Sequence, residues 1–156
     1  MLTADWTKLR ELSGADRWLL FRAALLLPMM HAGLALVGYY RLRRILERLI
    51  PQEKAAAQGN DTELLQEARR IAHLASIAAR RGPYRATCLR RSLVLWWLLR
   101  GQGIPAKLYF GVRKEQQHLE AHAWVEYEGS VLNDQSDTRE RFHALGEDLP
   151  PTTLGL

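Results

Sequence analysis

The sequence contains only one cysteine, Cys88, among its 156 residues. A single cysteine excludes an internal disulfide and is typical of a reducing compartment, so we expect a cytoplasmic protein. It also leaves too few ligands for a cysteine-based zinc site. Among the five histidines, only His118 and His122 have a spacing that suits a metal, and they lie where a predicted loop meets a predicted strand. We therefore expect no metal and no cofactor.

Charge is missing from residues 23–40, an uncharged run of 18 residues. This length is near the lower limit for a helix that crosses a membrane. Pro28 and His31 lie within the run, however, and favour packing inside the protein, as a pair of core helices. Membrane contact through residues 23–48 is the less favoured interpretation, although it would suit the basic residues that end this segment, Arg41, Arg43, Arg44 and Arg48.

Positive charge exceeds negative charge by a formal net +5 at pH 7. This balance favours an acidic peptide, an acidic partner protein or an anionic membrane as the binding partner. The arginines are spread over several segments and form no recognised nucleic-acid-binding module, so we expect no binding to nucleic acid. Charged residues soon after Met1 predict that no secretory signal precedes the folded region.

The predicted organisation has two parts, a helical region over 1–60 and a core over 61–156. The polar stretch 51–61 has the composition of a short linker between them. Apolar residues make up 47% of the sequence, which is enough for a packed core.

Two helices are predicted in the first part. Ser13, with Asp16 three residues later, is a capping pattern for a helix that begins near Gly14. Pro28 should kink or end this helix, because proline lacks the N–H and its ring clashes with the preceding turn. A second helix should then run over about 29–49.

A third helix should be capped by Asp61 or Thr62 and carry an apolar stripe of mostly small side chains. Small side chains allow close packing, so we expect this helix to lie beside the helix that carries Cys88. The stripe consists of Leu64, Leu65, Ala68, Ile71, Ala72, Ala75 and Ala78.

The helix that carries Cys88 is predicted within 84–101. Thr87 is a suitable N-cap and Gly101 a suitable stop. Cys88 would then lie in the first turn, where free backbone N–H groups and the helix dipole stabilise a thiolate, the nucleophilic form of the side chain. The alternative is a buried, unreactive cysteine.

Two stretches alternate between apolar and polar residues, 106–112 and 122–127, and they predict antiparallel strands. In the second stretch, His122 lies on one face and the neighbouring apolar positions lie on the other. A hairpin near Gly129 should connect this strand to the segment 130–134.

The type of turn decides whether His122 can meet Asp134. A three-residue turn over 127–129 places the two residues directly opposite each other, with their Cβ atoms about 5 Å apart. A two-residue loop over 128–129 places Asp134 on the other face and removes it from the site. We predict the three-residue turn, with Asp137 as a backup partner for the histidine.

Three pieces of the sequence resemble the transglutaminase-like, papain-type cysteine fold. Cys88 stands at a helix start, HAWVE follows at 122–126, and LND at 132–134. With the helical region before them, these pieces resemble the leader peptidases of lasso-peptide biosynthesis, in the split form without a fused leader-binding domain. The resemblance implies an α+β fold, with N-terminal helices followed by a papain-like core whose antiparallel sheet packs on the cysteine helix.

The resemblance also implies a reaction and a set of roles. Such an enzyme removes the leader from a ribosomally made precursor peptide. Cys88 is the implied nucleophile, His122 the general base and acid, and Asp134 the group that orients the histidine. His118 ranks below His122 as the base, because it lacks the alternating context. The implied partners are the leader region of the precursor and a separate leader-binding protein, with the lasso cyclase as a further candidate.

Two other functions fit the same residues. A thiol acyl transferase on this fold would pass the acyl group to an amine instead of water. A non-catalytic peptide-binding or membrane-surface protein would carry Cys88 only as a relic. Hydrolysis also requires donors for an oxyanion. The backbone N–H of Cys88 is one candidate, and Tyr84 and Arg85 are candidates for a second.

Overall fold

The computed structural model describes residues 13–50, 60–81, 86–115 and 118–146. These residues form an α+β fold, as predicted, in which three helices pack against one another and share one apolar core with one face of an antiparallel sheet. The elements in chain order are α1 (Gly14–Leu49), α2 (Asp61–Arg81), α3 (Cys88–Gly101), β1 (Lys107–Glu115), β2 (His118–Tyr127), β3 (Ser130–Val131), α4 (Thr138–Arg141) and β4 (His143–Gly146).

Helix α1 begins where the capping pattern predicts, and the Ser13 hydroxyl oxygen accepts a hydrogen bond from the Asp16 backbone N–H. The helix continues through Pro28, so the prediction of a second helix that begins at about residue 29 is wrong. The break lies instead at Gly38, whose φ of 74° is left-handed. Leu27 and Met30 flank Pro28 and are buried, so packing holds the helix together there. Gly38 can leave the helical conformation at little cost because it has no Cβ.

Helix α2 is capped by Asn60, whose side-chain oxygen accepts the Glu63 backbone N–H at 2.9 Å. The prediction of Asp61 or Thr62 as the cap is therefore wrong by one or two residues. The central part of the apolar stripe is buried as expected, and α2 contacts both α1 and α3. The buried stripe residues are Ala68, Ile71, Ala72, Ala75 and Ala78.

Helix α3 begins after Thr87, as predicted, but it does not end at a glycine stop at position 101. Gly101 is its last helical residue, and Gly103 takes the left-handed conformation with φ of 80°. The Ile104 N–H then donates to the Leu99 carbonyl oxygen at 3.0 Å, and the Ile104 side chain is buried. This helix-ending pattern directs the chain into β1.

The four strands lie in the order β3-β2-β1-β4, and every neighbouring pair is antiparallel. One face packs against the helices, α3 among them, as the predicted architecture requires. Its buried side chains include Leu108, Phe110, Ala123, Val125 and Tyr127.

The second face of the sheet is covered by α4 and by Phe142, the residue between α4 and β4. Trp124, Glu126 and Phe142 are buried there. Both oxygens of the buried Glu126 carboxylate lie near Arg139, at 2.7 Å from Nε and 2.5 Å from a terminal nitrogen. This ion pair ties α4 to β2 and so fixes the segment that covers the second face.

The hairpin after β2 has a two-residue turn, so the predicted three-residue turn is wrong. Tyr127 pairs with Ser130, and the loop residues Glu128 and Gly129 both have positive φ, 45° and 73°. Strand β3 then ends at Val131, well before the expected end of the strand. Strand β2 also begins earlier than predicted. It starts at His118, whereas the sequence predicted a loop up to residue 121.

Helix α1 packs against α2 and α3, and its inner residues share one apolar core with theirs. The division into a region 1–60 and a core 61–156 stays a prediction. By length and composition α1 could cross a membrane, and 22% of its most apolar window is buried within the protein. Its exposed face carries Trp18, Phe21, Leu25, Met29, Leu36, Tyr40, Ile45 and Leu49. Membrane contact also stays a prediction.

Candidate active site

Cys88 is the first residue of α3 and is half-buried. Thr87 precedes it in an extended conformation, and its side chain makes no capping hydrogen bond. The first N–H groups of a helix have no partner within the helix, so the Cys88 backbone N–H lies at the positive end of the helix dipole. The sequence-predicted position of the thiol at the helix start is therefore found in the structure.

His122 lies in β2 and its Nε2 is hydrogen-bonded to Asp134 Oδ2. The two-residue turn was expected to carry Asp134 to the other face, and that expectation is wrong. Beyond Val131 the Leu132 N–H still donates to the Val125 carbonyl oxygen at 2.9 Å, and the chain then leaves the strand ladder. The register of the hairpin therefore no longer fixes the direction of the Asp134 side chain. Asp134 reaches the histidine from a loop, and its Oδ1 accepts the Gln135 backbone N–H at 2.8 Å.

The imidazole of His122 is also held by an aromatic ring. Phe142 stacks on it with a centroid distance of 4.8 Å and an interplanar angle of 22°. Gly111 pairs with His122 across the sheet, and a Cβ at Gly111 would lie 2.8 Å from the Trp124 ring and 3.0 Å from the Phe142 Cβ. The missing side chain at position 111 thus allows these rings to pack over the histidine strand.

The early end of β3 leaves one edge of β2 without a strand partner. The Ala123 carbonyl oxygen accepts a hydrogen bond from the Ser92 hydroxyl at 2.9 Å, and the Ala123 backbone also hydrogen-bonds to Cys88. The Val125 N–H donates to the Asn133 side-chain oxygen at 2.8 Å. Side chains from α3 and from the loop after β3 therefore replace a strand along this edge.

Ser92 and Asn133 complete a network that joins all three elements of the site. The Asn133 side-chain N–H donates to Ser92 Oγ at 2.8 Å, and Ser92 is fully buried. Ser92 lies one turn after Cys88 in α3, and Asn133 directly precedes Asp134. The network thus fixes the distance between the cysteine helix, the histidine strand and the aspartate loop.

The pKa of Cys88 lies below its usual value although burial raises it. The effect of burial is outweighed by a hydrogen bond from His122 and by its positive charge. Backbone hydrogen bonds at Ala123 and Leu89 lower the pKa further. The pKa of His122 is raised, first by its hydrogen bond with Cys88 and also by Asp134, against the lowering effect of burial. Both shifts favour a thiolate beside an imidazolium.

His118 and Asp137, the other candidates among the described residues, do not join this site. His118 pairs with Glu115 at the far end of the β1–β2 ladder. Asp137 is the residue before α4, and its carboxylate lies 3.9 Å from Arg141. Tyr84 and Arg85, the candidates for a second oxyanion donor, lie outside the described residues. Among the described residues, no group of three His, Cys, Asp or Glu side chains could hold a metal.

Sequence reasoning missed Ser92, Asn133, Phe142 and Gly111. One signal was present for Ser92, which is a hydroxyl within the otherwise apolar face of α3. A buried hydroxyl needs a partner outside the helix or a carbonyl within it. No such signal exists for Phe142, because its contact with His122 depends on the return of the chain through α4.

The arrangement holds the parts needed for covalent catalysis on an acyl group. A thiol with a lowered pKa lies beside an imidazole, and a carboxylate is hydrogen-bonded to that imidazole, which is the arrangement that activates a nucleophilic thiol. The geometry is compatible with hydrolysis and with acyl transfer, since water and an amine can attack the same thioester.

Comparison with known proteins agrees with the geometry. Residues 33–147 match the family model described as Transglutaminase-like superfamily, and this range includes Cys88, His122 and Asp134. A stretch of 64 residues is 34% identical to the Microcin J25-processing protein McjB of Escherichia coli. That stretch covers 41% of this chain and 30% of the McjB chain. No solved structure matches the chain.

Proposed function

Because the chain belongs to the transglutaminase-like superfamily, we propose that it is a cysteine peptidase that removes the leader from a ribosomally made lasso-peptide precursor. The observation that carries the peptidase proposal is the contact of Cys88 with His122 and of His122 with Asp134. The identity with McjB, whose name describes the processing of microcin J25, supports a peptide precursor as the substrate.

The first half of the reaction forms a thioester. The Cys88 thiolate attacks the carbonyl carbon of the scissile peptide bond, and the protonated His122 gives its proton to the leaving amine as the C–N bond breaks. The acyl part of the substrate is then bound to the sulfur, and the amine fragment leaves. Asp134 binds Nε2 of the imidazole, so Nδ1 is the nitrogen that we assign to the contact with Cys88 and to proton transfer.

The second half releases the acyl fragment. Neutral His122 takes a proton from a water molecule, which attacks the thioester carbonyl, and the Cys88 thiolate leaves. The products are a peptide with a new carboxylate and the regenerated thiolate–imidazolium pair. The Cys88 backbone N–H is the donor we assign to the oxyanion in both halves.

The proposed partners follow from the resemblance to split leader peptidases. The precursor binds through its leader region, and a separate leader-binding protein presents it. The lasso cyclase acts on the product and is a further candidate partner. We propose that these encounters take place in the cytoplasm.

The test is to mix the purified protein with a candidate lasso precursor and its leader-binding partner, and to follow peptide masses. Two fragments whose masses sum to the precursor plus one water, absent with Cys88→Ala, support a cysteine peptidase and give the cleavage position. A product joined to an added amine, such as glycinamide, would move the assignment to acyl transfer. Equal cleavage by wild type and Cys88→Ala would contradict both.

A further inference from the structure

An open cleft of about 600 Å³ adjoins the candidate active site. One wall is a face of α2, and the other is formed by α3 and the loop that carries Asp134. We propose that this arginine cleft, named for its residues Arg69, Arg80 and Arg91, binds an acidic segment of the peptide substrate. The inference rests on the proposed function, because it assigns a substrate class to the same site.

The shape of the cleft suits an extended chain. Arg69, His73, Ser76 and Arg80 line it from one face of α2. Arg69 and Arg80 are eleven positions apart in the helix, a distance of about 16 Å along its axis. A strand-like peptide advances about 3.3 Å per residue, so roughly five residues would span the cleft from one arginine to the other.

The charges of the cleft call for a negatively charged ligand. Within the described part of the chain, neither Arg69 nor Arg91 has an ion-pair or hydrogen-bond partner. Arg80 donates to the neutral Ser76 hydroxyl at 3.0 Å. Asp134 is the single carboxylate among the residues that line the cleft, and His122 already binds it. A guanidinium group without a partner is well suited to bind a carboxylate through two hydrogen bonds.

The position of the cleft connects it to the chemistry. Arg91 follows Cys88 by three residues in α3, which places both near the start of the same helix. Asp134 borders the cleft and contacts His122. A peptide bound here would therefore continue toward the thiol. Peptide is favoured over single-stranded nucleic acid because no Phe, Tyr or Trp side chain, the large rings on which successive bases stack, is among the described residues that line this cleft.

The first experiment measures binding without cleavage. Fluorescently labelled penta-glutamate and penta-glutamine peptides are titrated with the full-length Cys88→Ala protein, and anisotropy is followed. We expect the glutamate peptide to bind more tightly and to weaken with added salt. The triple variant R69Q/R80Q/R91Q should bind it at least about tenfold more weakly. The matched variant R41Q/R44Q/R48Q, which removes the same charge from α1, should stay within about twofold.

Charge reversal provides the second variant. R69E/R80E/R91E should reject penta-glutamate and gain affinity for labelled penta-lysine, which also shows that the cleft is folded. Equal binding of the glutamate and glutamine peptides, or equal losses in the cleft and α1 variants, would overturn the inference. Tighter binding of a short oligothymidylate than of penta-glutamate would assign the cleft to nucleic acid instead.

Cleavage of the precursor separates this inference from the proposed function. Binding of penta-glutamate without cleavage of the precursor would support the role of the cleft and contradict the peptidase proposal. Cleavage whose KM is the same in wild type and R69Q/R80Q/R91Q would support the peptidase and overturn the role of the cleft.

Discussion

Asn133, the residue before Asp134, donates a hydrogen bond to Ser92 Oγ at 2.8 Å. This bond connects the aspartate loop to the helix that begins with Cys88. The same hydroxyl donates to the Ala123 carbonyl, which adjoins His122. A buried serine and a half-buried asparagine that contact no reacting atom therefore set the geometry of the three proposed catalytic residues.

Asn133→Ala should lower both stability and activity. It leaves the buried Val125 N–H without its acceptor, which should cost about 1–3 kcal/mol of unfolding free energy, measured by denaturant titration. It also frees the loop that holds Asp134, so kcat should fall while KM stays nearly constant. Ser136, an exposed residue three positions later, provides the control. Ser136→Ala should change neither the unfolding free energy nor kcat. Loss of stability with an unchanged kcat would show that Asn133 is only structural.

The reactivity of Cys88 should depend on His122. Because the pKa of Cys88 is lowered, its thiolate persists at a lower pH than an ordinary thiolate. The rate of iodoacetamide labelling, followed against pH, should therefore reach half its maximum at a pH below that of an ordinary cysteine. In His122→Gln the imidazolium is lost while burial remains, so the midpoint should move to higher pH. His118→Gln should leave it in place. A midpoint that is the same with and without His122 would contradict the ion pair.

Asp134→Asn should reduce peptidase activity and change its pH profile. Replacing the carboxylate removes one of the causes that raise the pKa of His122, so the limb of the profile that falls with rising pH should move to lower pH. We expect kcat to fall about a hundredfold or more. Asp137→Asn is the matched control, since Asp137 lies near Arg141 rather than His122. Equal effects of the two changes would rule out the orienting role.

Gly111→Ala should disturb the packing above His122. The new Cβ would lie 2.8 Å from the Trp124 ring and 3.0 Å from the Phe142 Cβ, so the rings must move. Overpacking of this kind costs about 1–3 kcal/mol, which thermal or denaturant unfolding can measure. Gly101→Ala meets no atom within 4 Å and should change stability by less than about 1 kcal/mol. A Gly111→Ala protein as stable as Gly101→Ala would refute the close packing.

The sequence was sufficient to predict the helices and strands that carry the site. The start of α1 at Ser13 and of α3 at Thr87 followed from local capping chemistry. The turn at Glu128 and Gly129 was missed for a local reason as well. A two-residue turn with two positive φ values favours Asn or Asp before the glycine, and glutamate is an uncommon choice there.

Tertiary packing decided the features that could not be predicted. Pro28 stays within α1 because buried neighbours hold the helix on both sides of it, and no local rule contains that information. Asp134 meets His122 in spite of the two-residue turn because Asn133 bonds to β2 and Ser92 instead of extending β3. Both outcomes depend on contacts between segments that are distant in the sequence.

The short strand β3 has a consequence for how the protein behaves toward other copies of itself. An uncovered strand edge presents free N–H and C=O groups, which form a template for aggregation. Here Ser92, Cys88 and Asn133 occupy that edge at Ala123 and Val125. The residues that assemble the nucleophile therefore also protect the sheet from intermolecular pairing. Undocking of α3 would separate Cys88 from His122 and expose an unpaired strand edge in one event, so the same hydrogen bonds maintain both the site and the protection of that edge.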